Sequence, residues 1–124
     1  MRNLVAVVIA LVLASVAWKQ WERHAPPAGV SRSEMRTLAA SVRPEEVVMY
    51  TTTECGYCHQ AKNWLSSNGF AFTECNMSVD ARCQSEFQSY HADGTPFLVI
   101  NRGKKQHLMR EGFDTEEFVA ALRG

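Results

Sequence analysis

Residues 47–58 read Val-Val-Met-Tyr-Thr-Thr-Thr-Glu-Cys-Gly-Tyr-Cys. Four apolar residues of buried-strand type run into a polar connection and then into a Cys-x-x-Cys pair. Beyond the pair, Cys58, Ala61, Trp64 and Leu65 recur at helical spacing, and Asn68-Gly69 ends the helix. A buried strand feeding a helix that opens on two cysteines leaves few architectures. The helix must pack against the strand it follows, so the chain reads as α/β.

The pattern continues in the same sense. Phe70 and Phe72 alternate, as a second strand would. Asp80 can cap a helix in which Cys83, Phe87 and Tyr90 share a face, and residues 97–100 form a third strand. The turn Asn-Arg-Gly-Lys-Lys leads into a fourth strand around residues 107–109. Asp114 caps a last helix, with Glu117 expected to reach back in a capping box and Phe118, Val119 and Leu122 as the inner stripe. The order β-α-β-α-β-β-α predicts a mixed four-stranded sheet flanked by helices over residues 45–124. Residues 24–44 read as a linker, with Pro26, Pro27 and Gly29, followed by a short helix near residues 33–41. Met35, Leu38 and Val42 are its apolar positions, and Pro44 stops it.

Residues 1–23 are of another kind. Arg2 precedes an apolar run over residues 4–18, broken only by Ser15. A basic start and a Leu/Val/Ala run are the marks of a signal anchor or a signal peptide. As an anchor the run extends toward Trp21, with Trp18 and Trp21 at the interface and Lys19 and Arg23 at the headgroups. As a signal peptide it offers small residues for cleavage near Ala17. Either way the domain lies outside the cytoplasm, on the periplasmic side of a membrane or secreted. Lys+Arg and Asp+Glu balance at 13 each, which gives no electrostatic case for a nucleic-acid partner.

Cys55 sits just before the helix, where unpaired backbone N–H groups favour an anion, and the thiolate is the reactive form of the thiol. Cys58 lies one turn further in, placed to resolve a mixed disulfide formed on Cys55. Gly56 permits close approach of a partner chain, and Tyr57 offers a ring beside the sulfur. A zinc site needs two more ligands, and Cys75 and Cys83 are too far apart in sequence to form a second Cys-x-x-Cys. Haem attachment through Cys58-His59 would place the haem at the mouth of a central helix, where little room is left. No metal is expected. Cys75 and Cys83 read as a structural disulfide, as two separate buried thiols, or as a relay to the first pair.

From Val47 to Leu122 the chain resembles the glutaredoxins, of thioredoxin-like fold. The resemblance rests on Cys55-Gly56-Tyr57-Cys58 after the first strand, Thr95-Pro96 before the third, and Gly112-Phe113-Asp114 before the last helix. It implies a thiol–disulfide oxidoreductase with Cys55 and Cys58 as the redox pair. It further implies a cis Pro96, with Thr95 pairing through its backbone to a bound peptide or to glutathione, and Tyr57, Gly112 and Phe113 completing the substrate site. No cofactor is required on this reading; glutathione enters as a co-substrate, and the partners are protein or small-molecule thiols and disulfides. Thr52 stands where glutaredoxins carry a basic residue for a glutathione carboxylate, and Glu111 where they often carry glycine. Locally, Cys-Gly-Tyr-Cys with Gly94-Thr95-Pro96 is also similar to periplasmic disulfide isomerases. Two other readings stay open: a module holding a glutathione-ligated [2Fe–2S] cluster, and a redox-inert scaffold of the same fold. Trp64 reads as core or groove wall, His59, His91 and His107 as exposed polar residues, and Lys104-Lys105 as a solvated turn.

Overall fold

The computed structural model describes residues 1–23 and 25–124. Helix α1 (Arg2–Arg23) precedes α2 (Arg32–Ala40) and a single 3-10 turn at Pro44–Glu46. Then come β1 (Val47–Thr51), α3 (Gly56–Ser67), β2 (Thr73–Asn76), α4 (Ala81–Ser89), β3 (Phe97–Arg102), β4 (Lys105–Met109) and α5 (Thr115–Arg123). The sheet order is β2-β1-β3-β4, with β1 parallel to β2 and antiparallel to β3. His24 lies outside the described residues.

Alternation along the strands divides the interior in two. Val47, Met49, Leu98, Ile100 and Met109 join one core with Met35 and Ala39 of α2, Ala61 and Leu65 of α3, and Phe118, Val119 and Leu122 of α5. Tyr50, Phe97 and Val99 join Cys75 and Cys83 in the other, which Phe87 and Tyr90 of α4 cover. Three helices thus pack on one face of the sheet and α4 on the other.

Two local expectations change. The second strand occupies Thr73–Asn76 and not Phe70 and Phe72, because the β1 edge pairs Val48 with Thr73 and Thr51 with Asn76. Phe70 instead closes α3: its N–H donates to the Leu65 carbonyl at 3.0 Å, past Gly69 at φ +75°, and its ring stacks on Trp64. That is a Schellman ending, in which glycine takes the left-handed position and the next residue makes the apolar contact. At α5, the Asp114 carboxylate accepts the Glu117 N–H at 2.8 Å. The Glu117 carboxylate does not reach back; it meets His107 Nε2 at 2.7 Å, across on β4.

The segment before β1 does more than link. Ser31 and Glu34 form a reciprocal capping box that starts α2 at Arg32, and Val30, Met35, Ala39 and Val42 are all buried in the three-helix core. Arg102 fastens this segment: its guanidinium donates to the Ser41 carbonyl at 3.0 Å, the Leu122 carbonyl at 3.1 Å and the Glu46 carboxylate at 3.1 Å.

Helix α1 stands apart from both cores. Its 22 residues would span about 33 Å, close to the thickness of a bilayer's hydrocarbon layer. Its apolar side chains are exposed throughout, and the Ser15 hydroxyl donates to the Val12 carbonyl at 2.8 Å, which hides its polarity. Truncating Met35 to alanine should cost about 2–5 kcal/mol, since it opens a cavity in the main core. Urea unfolding of the full chain checks this, and a change near zero would make α2 a spectator.

Candidate active site

Cys55 is the N-cap of α3, and its Sγ accepts the Cys58 N–H at 3.1 Å. The two sulfurs are bonded to each other, with the Cα atoms 5.2 Å apart. Cys55 is partly exposed, whereas Cys58 is 1% exposed. A partner can therefore reach the first sulfur and not the second. The Cys58 N–H at the helix N-terminus points at Cys55 Sγ, a placement that favours negative charge on that sulfur when the bond is open.

The connection that presents Cys55 is braced from the far end of β2. Met77 donates to the Thr51 carbonyl at 2.8 Å, Ser78 Oγ accepts the Thr53 N–H at 3.0 Å, and Asn76 donates to Thr53 Oγ1 at 3.2 Å. Below it, buried Thr51 donates to the Glu74 carboxylate at 2.9 Å, and Lys62 of α3 pairs with the same carboxylate at 2.9 Å. Burial works to raise the pKa of Glu74, but the bonds from Lys62 and Thr51 outweigh it and the net shift is downward. One carboxylate thus ties β1, β2 and α3 together beneath the cysteine pair. Sequence reading assigned Asn76, Ser78 and Glu74 no part here. Their polar types indicate a turn and an edge, but their partners lie more than ten residues away.

A groove of about 860 Å3 opens beside the pair. Tyr57, Gln60, Asn63 and Trp64 of α3 form one side, and Gly94, Thr95 and Pro96 lie across from them. Arg110, Glu111, Gly112 and Phe113 close the end. Tyr57, Thr95, Pro96, Gly112 and Phe113 are therefore brought together along one surface. The Thr95–Pro96 bond is cis, and Pro96 is fully buried. Among the described residues no hydrogen bond engages the backbone N–H or carbonyl of Thr95, which lines the groove. Gly112 sits at φ +94°, a conformation that a side chain would strain, where β4 turns into α5. Trp64 is both core and groove wall, with ring centroids 5.5 Å from Phe113 and 6.0 Å from Phe118.

Arg110 is less free than its exposure suggests. Its guanidinium donates to the Tyr90 carbonyl at 2.9 Å and the His91 carbonyl at 3.4 Å, and lies over the Phe97 ring. It latches the end of α4 to the end of β4.

Cys75 and Cys83 are bonded to each other and both are buried. They lie in the α4 core, whereas Cys58 belongs to α3 on the opposite side of the sheet. The two pairs do not converge on a shared four-sulfur site. Around the second pair, Tyr50 donates to Glu86 at 2.8 Å, and burial together with that carboxylate pushes the Tyr50 phenol well above its usual range.

A central parallel and antiparallel sheet, helices on both faces and a Cys-x-x-Cys disulfide at the mouth of the first flanking helix define a thioredoxin-like protein. The crystal structure of the thioredoxin-like protein BC3987 superimposes with a TM-score of 0.52 and 25% identity, covering 60% of this chain and 97% of that one. A mutant of the same protein gives the same score at 26% identity, covering 61% and 97%. Residues 47–104, which carry Cys55 and Cys58, match the family described as Glutaredoxin. The global transcriptional regulator Spx 2 of Bacillus anthracis is 33% identical over 61 residues, which are 47% of each protein. The chain thus spans about half the length of the curated relative it matches.

Replacing both Cys75 and Cys83 with alanine should lower stability by about 2–3 kcal/mol through the freed loop of the unfolded chain. Denaturant midpoints of the oxidised protein and the double variant measure this; equal midpoints would remove the stabilising role of the bond.

Proposed function

We infer that this protein is a membrane-held thiol–disulfide oxidoreductase of glutaredoxin type, working outside the cytoplasm. The observation that carries the reading is the Cys55–Cys58 bond itself. It joins an accessible sulfur at a helix N-terminus to a buried one, beside a groove whose Thr95 backbone is open. An inert structural bridge needs neither the exposure nor the groove.

In the reducing direction the Cys55 thiolate attacks one sulfur of a substrate disulfide. That bond breaks, the other substrate sulfur leaves as a thiolate, and a mixed disulfide links Cys55 to the substrate. The Cys58 thiolate then attacks Cys55 Sγ, releasing the second substrate thiolate and forming the Cys55–Cys58 bond. The dithiol gives up two electrons and the substrate disulfide gains them. The oxidising direction runs the same steps backward, and the reduction potential of the pair against its compartment decides which prevails. Thr95 and Pro96 shape the groove, with Tyr57, Gly112 and Phe113 at its walls; glutathione is a co-substrate this groove can be tested with, and no resident cofactor is needed.

Cys58→Ser should accumulate a mixed disulfide on Cys55, and Cys55→Ser should abolish exchange. Mass spectrometry of non-reduced protein after incubation with a small disulfide reads both. Faster alkylation of Cys58 than of Cys55 at neutral pH would reverse the two roles.

The placement rests on α1, an exposed apolar helix of membrane-spanning length with Trp18 and Trp21 at its end. A helix of this composition and position also fits a signal sequence, so cleavage near Ala17 is the other outcome. A phosphatase reporter fused after Gly124 should be active only outside the cytoplasm. The mature protein should stay with membranes after alkaline extraction, whereas release with Trp18 at its N-terminus would show cleavage. Activity confined to the cytoplasm would overturn the placement.

A further inference from the structure

The lining of the groove beside Cys55 holds one anion, Glu111, and one cation, Arg110, and further exposed carboxylates stand next to it in sequence. Glu111 lines it and is exposed. Asp93 adjoins Gly94 on the opposite side, and Glu54 adjoins Cys55; both are exposed. Among the described residues none of these three carboxylates has an ion-pair partner. Asp114 adds a fourth, engaged in the α5 cap. The one cation in the lining is Arg110, and its guanidinium is committed to the Tyr90 and His91 carbonyls. Lys62, further along α3, is paired with Glu74, and His59, next to Cys58, contacts the Thr53 carbonyl at 3.3 Å.

A ligand whose cysteine lies against Cys55 meets Glu54 beside it, and one whose chain runs along the groove meets Glu111. Fields of this kind reach only about 8 Å at physiological salt, so the groups that matter are those beside the reacting cysteine. Glutathione brings more carboxylates than ammonium groups. A polypeptide brings an uncharged backbone, which suits the open Thr95 amide, and side chains that the Tyr57, Trp64 and Phe113 rings can cover. A cationic side chain gains on both counts, from the carboxylates and from the aromatic faces.

We propose that this groove selects disulfides and thiols of polypeptides whose cysteine is flanked by basic residues, and that Glu111 sets the preference against anionic small disulfides. This rests on the oxidoreductase reading above, and the chemistry is the exchange already written: only the substrate is specified. Glu111 acts as a specificity residue through its charge, so its replacement moves the ratio between substrates rather than the existence of exchange.

The test is a single-turnover reaction of the full chain, reduced and held in detergent micelles, with three symmetric disulfides. These are acetyl-Lys-Cys-Lys-amide, acetyl-Ala-Cys-Ala-amide and glutathione. Each rate is divided by that of the same disulfide with free dithiothreitol, which removes intrinsic reactivity. The normalised rates should fall in the order basic, neutral, glutathione, with a spread of about ten-fold or more that narrows at about 1 M salt. Glu111→Lys should shift the basic-to-glutathione ratio by about ten-fold toward glutathione, and Glu111→Gln by less. Equal normalised rates for the three disulfides, or a ratio unmoved in Glu111→Lys, would overturn the proposal while leaving the oxidoreductase reading in place. Reduced protein that reacts with none of them would remove that reading, and this one with it.

Discussion

Val47 and Met49 face one core, and Val48 and Tyr50 face the other, so both layers of the protein close on β1. A strand buried on both faces cannot slip by one residue without exchanging the two sets of side chains. Its register is therefore held by α2, α3 and α5 on one side and α4 on the other. Thr51 ends that strand four residues before Cys55, and its hydroxyl and carbonyl are both engaged with the β2 edge and the turn after it. The position of the Cys55–Cys58 pair follows from the register of this one strand.

The same arrangement separates two kinds of disulfide. Cys55–Cys58 lies where the β1 connection meets a helix N-terminus, with one sulfur accessible. Cys75–Cys83 joins the edge strand to α4 inside an aromatic core made by Tyr50, Phe87, Tyr90 and Phe97. Helix α4 buries only Cys83 fully, so a covalent tie and the Arg110 latch at its end supplement a thin apolar face. The two bonds are of the same chemistry and differ in accessibility.

Helix α1 and the domain show two uses of apolar sequence. In α2 the apolar positions are spaced to form one stripe, which the core covers. In α1 they run all round the helix, and nothing in the domain covers them. A helix apolar on every side has the composition of a membrane anchor or a signal sequence, and residues 2–22 fit either by length and composition.

The sequence by itself determined the order of strands and helices from Val47 onward, the Cys-x-x-Cys pair at a helix mouth, the apolar N-terminal run and the motifs of the glutaredoxin family. All are local: periodicity, caps and short spacings are read from neighbouring residues. Only the tertiary structure decided that Phe70 caps α3 instead of entering a strand, that Glu117 turns to His107, and that Val30, Met35, Ala39 and Val42 join the core. It also decided that Glu74 supports the cysteine loop, that Arg110 is tied to α4, and that Glu111 lines the groove. These depend on which distant residues meet, and side chains such as glutamate and arginine have many partners of equal local merit. Burial and the sheet register choose among them, and neither is written at the position of any single residue.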